Sequence, residues 1–142
     1  MPGADIFDKL FIFEMANNHM GDVDHGMAII REFGKVIKDF PGFSFGFKFQ
    51  YRHLDTFIHR DHKKSNDFKY IKRFSETRME EGDFKRLKDE LVRSGFIAIC
   101  TPFDEASVDL IEKHDYQIIK IASVLLLIGP CWNELQKQIS RS

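Results

Sequence analysis

The octapeptide FSFGFKFQ places the strongest constraint on how this chain can fold. From Phe43 to Gln50 every second residue is a phenylalanine, and the residues between them are serine, glycine, lysine and glutamine. Successive side chains of a β-strand point to opposite faces, so this period predicts a strand with one wholly aromatic face. The pattern therefore separates Lys48 from the phenylalanine face.

Strand-like and helix-like segments alternate along the rest of the chain. Short apolar runs predict further strands at residues 10–13 (ending at Glu14), 96–100 and 117–121. Helical periodicity occupies residues 22–40, 68–75 and 83–93, and the stretch 51–67 is expected to be irregular. The segment TPFDEAS is expected to open another helix from Thr101, with Pro102 in its first turn. Such alternation implies parallel strands joined by crossover helices, which is an α/β fold.

Length, charge and cysteine content exclude several classes of partner. The 142 residues leave room for one domain, and the net charge of −1 provides no long-range field for nucleic acid or an anionic membrane. No apolar run approaches the roughly 20 residues of a membrane helix. Residues 1–9 do not resemble a signal peptide, and two cysteines predict neither a disulfide framework nor a zinc site. We therefore expect a cytoplasmic protein that binds any anion through a local site.

Polar or ionisable residues follow each predicted strand at its carboxyl end. They are Glu14 with Asn18 and His19, Lys48 with Gln50, Thr101, and Lys120 with Ser123. In parallel α/β folds the carboxyl ends of the strands carry the active site. Two lysines there would neutralise a phosphate and a carboxylate, and hydroxyls would add directional hydrogen bonds. Glu14 could accept a bond from a sugar hydroxyl or move a proton. The set suits a small, doubly anionic substrate.

Each of these residues also has a simpler interpretation, which the residues alone leave open. A lysine at the end of a strand is more often solvated than functional. The Asn-Asn-His segment could be a loop whose asparagines accept left-handed backbone angles. Thr101 could merely cap the helix that follows Pro102.

Four motifs resemble those of the sialic acid synthase family, in the same order and with suitable spacing. The segment FIFEMANNHMGD resembles the family's IIAEIGNNHNGD, and FGFKFQ is similar to AVKFQ. Further along, CTPFDEASVDLIE is similar to STPFDEESVDFLE, and IIKIAS is similar to AYKIAS. Any one match would be weak, but four in order over residues 10–123 make the resemblance specific.

The resemblance implies a fold, a reaction and a cofactor. The family fold is a (β/α)8 TIM barrel followed by a small antifreeze-like domain, usually in a swapped homodimer. Residues 1–123 would form the N-terminal half of the barrel, about four βα units. Family members join phosphoenolpyruvate to N-acetylmannosamine or a related aminosugar, releasing phosphate and forming a nonulosonic acid. They use a divalent metal, usually Mn²⁺ or Mg²⁺, whose histidine ligands lie in later strands, so this chain is expected to contribute none.

The resemblance also assigns roles to individual positions. Glu14 matches an acidic residue near the sugar and is the expected catalytic residue. The positions expected to hold phosphoenolpyruvate are Lys48, Thr101, Lys120 and Ser123. Those expected to contact the sugar are Asn18, His19, Gln50 and Asn66.

The resemblance ends after Ser123, and residues 124–142 form an atypical tail. Leu125 falls about where the family has an acid. Restoring one base after Ser123 allows the message to read CSFTDWPLLERIAKT, which resembles the expected continuation. We therefore hypothesise a single-base deletion, which resequencing of the gene would test. A clean read with no in-frame continuation would refute the hypothesis.

A half-barrel without the antifreeze-like domain is expected to be inactive alone. The alternatives are a non-catalytic half-barrel that binds anions and a non-functional gene fragment. Unpaired strand edges also predict a homo-oligomer or an aggregating protein. Monomeric behaviour in sedimentation at high concentration would contradict that expectation.

Overall fold

The computed structural model describes residues 5–57 and 69–123, which form a parallel sheet with helices. The strands are hydrogen-bonded in chain order: β1 (Leu10–Glu14), β2 (Ser44–Tyr51), β3 (Ile97–Pro102) and β4 (Ile118–Ile119). The helices are α1 (Val23–Val36), α2 (Leu54–Phe57), α3 (Lys69–Glu76), α4 (Glu81–Arg93) and α5 (Glu105–Lys113), with a 3₁₀ turn at Ile37–Asp39. The predicted α/β fold, equivalent to the N-terminal part of a barrel, is confirmed.

The aromatic face of β2 forms the centre of the hydrophobic core, as its alternation predicts. Phe47 and Phe49 are buried, and the Phe47 ring meets Phe96 edge-on with centroids 5.2 Å apart. Helices α1 and α4 contribute Ile30 and Leu87 to the same core. Burying a large apolar side chain contributes about 1.5–3 kcal/mol. These contacts therefore hold the helices on one face of the sheet.

The opposite face of the sheet carries the residues that lie between the phenylalanines. Strand register pairs Gly46 with Ile97 and Lys48 with Ile99. Gly46 makes room for Ile99, because a Cβ at this glycine would lie 2.5 Å from the Ile99 Cδ1. Apolar side chains thus occupy the middle of this face, and Lys48 begins its polar carboxyl end.

The start of α5 differs from the sequence prediction. Thr101 and Pro102 end β3 instead of opening a helix. The helix begins at Glu105 and is capped by Asp104, because the Asp104 carboxylate accepts a hydrogen bond from the Ser107 backbone N–H at 2.8 Å. The predicted helix start and the interpretation of Thr101 as a cap are therefore both wrong.

The other boundaries agree more closely with the sequence. Asp22 caps α1, since its Oδ1 accepts from the backbone N–H groups of Asp24 and His25 at 2.8 and 3.1 Å. The stretch expected to be irregular contains α2 in its described part. Within residues 5–57 and 69–123, no helix is both long and apolar enough to cross a membrane.

Gly46→Ala is expected to destabilise the protein by about 1–3 kcal/mol, the usual cost of overpacking a core. Shortening the neighbour in Gly46→Ala/Ile99→Val removes the closest atom and should recover part of that loss. Urea unfolding of the three proteins measures the effect. Gly82→Ala in α4 is the control, because nothing lies within 4 Å of the added methyl group. Unchanged stability of Gly46→Ala would contradict the packing described.

Candidate functional site

The strand register brings several predicted site residues together at the carboxyl end of the sheet. Glu14 of β1 lies opposite Lys48 of β2, and Gln50 lies opposite Thr101 of β3. The Lys48 ammonium forms an ion pair with Glu14, and the Gln50 Nε2 donates a hydrogen bond to Glu14 Oε1 at 3.3 Å. These four residues form one polar rim. The sequence analysis predicts such a grouping, because polar residues follow each strand at its carboxyl end.

Glu14 is oriented from three directions. Besides Lys48 and Gln50, the backbone N–H of Ala16 donates to Glu14 Oε1 at 3.1 Å. Three donors on one carboxylate fix its rotamer and share its negative charge. Its side chain is 40% exposed, compared with 16% for Lys48, so solvent and ligands can still reach the carboxylate.

Thr101 is the unusual member of the rim. It is 2% exposed, and its Oγ1 has no hydrogen-bond partner among the residues that the structure describes. A buried hydroxyl left unpaired costs about 1–3 kcal/mol. Such a group suits a position where a ligand supplies the missing partner.

Lys120 and Ser123 lie beyond β4 and are both exposed. The Lys120 backbone N–H donates to the Cys100 carbonyl at 2.8 Å, which continues the register and sets Lys120 next to Thr101 along the sheet edge. The structure therefore adds Lys120 to the same end of the sheet. Ser123 is the last residue of the described range, and Asn66 lies outside it.

Arg52 belongs to the same polar network and was missed by the sequence analysis. Its Nη2 donates to Gln50 Oε1, and its Nη1 donates to Asn17 Oδ1 at 3.2 Å. The guanidinium lies 4.3 Å from the Phe74 ring centroid and 4.5 Å from that of Phe103. Burial is the main cause that lowers the pKa of Arg52. The available signal was that Arg52, one residue after β2 ends, continues the alternation of Lys48 and Gln50.

The loop after β1 is held in a strained conformation, but not at its asparagines. Positive φ angles occur at Ala16 (43°) and Met20 (56°). The interpretation that asparagines adopt the left-handed angles is therefore wrong. Asn18 is exposed, whereas Asn17 is buried and accepts the bond from Arg52. A non-glycine residue at positive φ costs about 1–3 kcal/mol and persists only where its surroundings enforce it.

His19 is buried in the wall of a cavity of about 240 Å³, which Asn17, Gln50 and Arg52 also line. Its Nδ1 accepts a hydrogen bond from the Gly21 backbone N–H at 3.0 Å. Burial, with smaller effects of Arg52 and His25, lowers the pKa of His19 to about 4. The ring is therefore neutral near pH 7, and its Nε2 carries the hydrogen.

The charges at this end of the sheet favour an anion. Lys48, Arg52 and Lys120 outnumber the two carboxylates at this end, those of Glu14 and Asp104. Glu14 already has three donors, and Asp104 accepts from the backbone N–H groups of His53 and Ser107. In the parts of the chain that the structure describes, no group of three or more His, Cys, Asp or Glu side chains could hold a metal ion. The rim can therefore bind and orient a small polyanion through lysines, an amide and a hydroxyl.

The neutral state of His19 predicts a pH dependence of stability. Its pKa is about 4 when folded, below the ordinary 6.5. As pH falls from 6.5 to 4, the unfolded chain binds a proton that the folded chain does not, so stability falls. Thermal melts should show a steeper loss over this window for wild type than for His19→Asn, whose Oδ1 can still accept from Gly21. Parallel pH profiles would contradict the assignment; His114, whose pKa is also lowered, is common to both proteins.

Comparisons with known proteins place these features in a family. The model of the NeuB family matches residues 46–139. The structure of a putative spore coat polysaccharide biosynthesis protein E from Chromobacterium violaceum is 54% identical with a TM-score of 0.85, over 89% of this chain and 38% of that one. An uncharacterised protein of Methanocaldococcus jannaschii is 32% identical over 126 residues, which are 89% of this chain and 34% of the relative.

A more distant structure shares the fold. It is an N-acetylneuraminic acid (sialic acid) synthetase from Leptospira borgpetersenii in complex with citrate, 20% identical with a TM-score of 0.62. The alignment covers 82% of this chain and 36% of that protein, so the chain spans about a third of the length of these relatives. The resemblance inferred from the four sequence motifs is confirmed. The chain belongs to the NeuB family.

Proposed function

We propose that this chain supplies part of a phosphoenolpyruvate site for the condensation of phosphoenolpyruvate with N-acetylmannosamine or a related aminosugar. In that reaction the methylene carbon of phosphoenolpyruvate forms a carbon–carbon bond with the sugar aldehyde. Water supplies the oxygen at C2, and inorganic phosphate leaves to give a nonulosonic acid. The observation that carries the proposal is the basic rim beside the buried hydroxyl of Thr101, which has no hydrogen-bond partner among the described residues.

The rim residues have distinct roles in this proposal. Lys48 and Lys120 offset the negative charges of the phosphate and the carboxylate. The Thr101 hydroxyl donates to one ligand oxygen and thereby gains the partner that it lacks in the described residues. Glu14 accepts from a sugar hydroxyl or moves a proton there, since its partly exposed carboxylate lies beside Lys48.

A divalent metal such as Mn²⁺ or Mg²⁺ would polarise the sugar aldehyde as a Lewis acid. The described residues do not offer a cluster that could hold it. The roles of Lys48, Thr101 and Glu14 do not depend on that metal. Because the chain spans about a third of the relatives' length, binding of phosphoenolpyruvate is the part of the proposal that its own residues test most directly.

Calorimetric titration of phosphoenolpyruvate into the purified chain, without added metal, should show saturable binding. Lys48→Ala is expected to weaken that binding by about 10- to 100-fold, the usual effect of losing a hydrogen bond to a charged group. Raising the salt concentration should weaken wild-type binding, because the site attracts its ligand by charge.

Lys38→Ala is the matched control, since Lys38 is an exposed lysine in the 3₁₀ turn that precedes the amino end of β2, whereas the rim lies at the carboxyl ends of the strands. It should bind phosphoenolpyruvate as wild type does. Absence of binding to folded wild type, or equal losses in both variants, would refute the proposed site. Turnover of phosphoenolpyruvate with an aminosugar would extend the proposal from binding to catalysis, and binding without turnover would favour the non-catalytic anion-binding alternative.

A further inference from the structure

Arg52 occupies an unusual position for a cation. Two aromatic rings, of Phe74 and Phe103, lie 4.3 and 4.5 Å from its guanidinium carbon. Its Nη atoms donate to Gln50 and Asn17, while its buried Nε has no partner within the described parts of the chain. Aromatic stacking and two directional bonds leave the guanidinium little freedom to rotate.

The contact with Arg52 determines which way the Gln50 carboxamide faces. Arginine can only donate hydrogen bonds, so the Gln50 atom that faces it must be the oxygen. The Gln50 NH₂ group is then directed to Glu14 Oε1, 3.3 Å away. The reverse orientation would oppose the amide oxygen to a carboxylate and the amide NH₂ to a guanidinium, and both contacts would be repulsive.

The orientation of Gln50 in turn affects the lysine of the rim. Glu14 divides its charge among the Ala16 N–H, the Gln50 NH₂ and the Lys48 ammonium. A donor that is itself bonded to a cation is polarised and donates more strongly. The hydrogen bond from Gln50 stabilises part of the negative charge of Glu14, so Glu14 neutralises Lys48 less completely. More of the positive charge of Lys48 can then act on a bound anion.

We propose that Arg52 is a positioning residue of the anion site: it fixes the Gln50 carboxamide and, through Gln50, limits how strongly Glu14 neutralises Lys48. This inference rests on the proposed function, since it concerns the affinity of the same rim. It assigns Arg52 no contact with the ligand. It therefore differs from a direct electrostatic role, in which any positive charge at position 52 would suffice.

A double-mutant cycle separates these two roles. Arg52→Lys keeps the positive charge but loses the paired N–H donors of the guanidinium and its stacking on the two rings. It should weaken phosphoenolpyruvate binding about tenfold, the effect of losing one charge-assisted hydrogen bond. Gln50→Met removes the carboxamide at similar volume and should weaken binding to a similar extent. The double variant should be no weaker than Gln50→Met alone, because Arg52 acts through Gln50. Additive losses, or full affinity of Arg52→Lys, would overturn the proposal.

Arg86→Lys is the matched control, because Arg86 is an exposed arginine of α4 that bonds Asp83 and should leave affinity unchanged. Thermal melts of each variant establish that it is folded. If Arg52→Lys does not fold, Gln50→Met still tests whether Gln50 affects anion affinity. In that variant Arg52 retains its hydrogen bond to Asn17 and its contacts with both rings. Wild-type affinity of Gln50→Met would then overturn the proposal.

Side-chain NMR tests the geometry independently of ligand binding. In wild type the Arg52 Hε resonance should be shifted upfield by the rings of Phe74 and Phe103, and the Gln50 NH₂ resonances should be resolved. Arg52→Lys should move the Gln50 NH₂ resonances, whereas Arg86→Lys should not. Unmoved Gln50 resonances would overturn the positioning role even if phosphoenolpyruvate binds. Failure of wild type to bind, with the expected NMR shifts present, would instead refute the proposed function and leave the Arg52–Gln50 contact established.

Discussion

The burial of the aromatic face of β2 is the interaction on which the rest of the structure depends. Phe47 and Phe49 lie in the core with Phe96, under α1 and α4. Because side chains alternate along a strand, burying these rings turns Lys48 and Gln50 to the other face. A slip of one residue would exchange the two faces and expose the rings to water. The free energy that fixes the core therefore also positions the polar rim.

The sequence predicts this arrangement because it depends on local periodicity and on strand order. Lys48 could be assigned to the polar face from FSFGFKFQ alone, and parallel pairing then places it beside Glu14. The start of α5 was mispredicted because Pro102 suits a helical first turn as well as a strand end. The outcome was decided by Asp104, whose carboxylate caps the helix three residues later than expected.

The alternation after Lys48 and Gln50 could place Arg52 on the polar side, but its role could not be assigned from local pattern, because its partners come from distant segments. Phe74 and Phe103 are far from it in sequence, and Asn17 belongs to the loop after β1. His19 illustrates the same limit. Its motif matched the family loop, but its neutrality depends on burial and on the nearby cation of Arg52. Tertiary contacts between segments distant in sequence determine both the position of Arg52 and the neutral state of His19.

We propose that the rim binds an anion, and that the anion supplies the hydrogen-bond partner that the Thr101 hydroxyl lacks among the described residues. Thermal melts of wild type and Thr101→Val, each with and without phosphoenolpyruvate, test it directly. Valine removes a buried hydroxyl that has no partner among the described residues, so the free variant should be more stable, by about 1–3 kcal/mol. Phosphoenolpyruvate should stabilise wild type and stabilise the variant less. A free variant less stable than wild type, with undiminished stabilisation by phosphoenolpyruvate, would contradict the account.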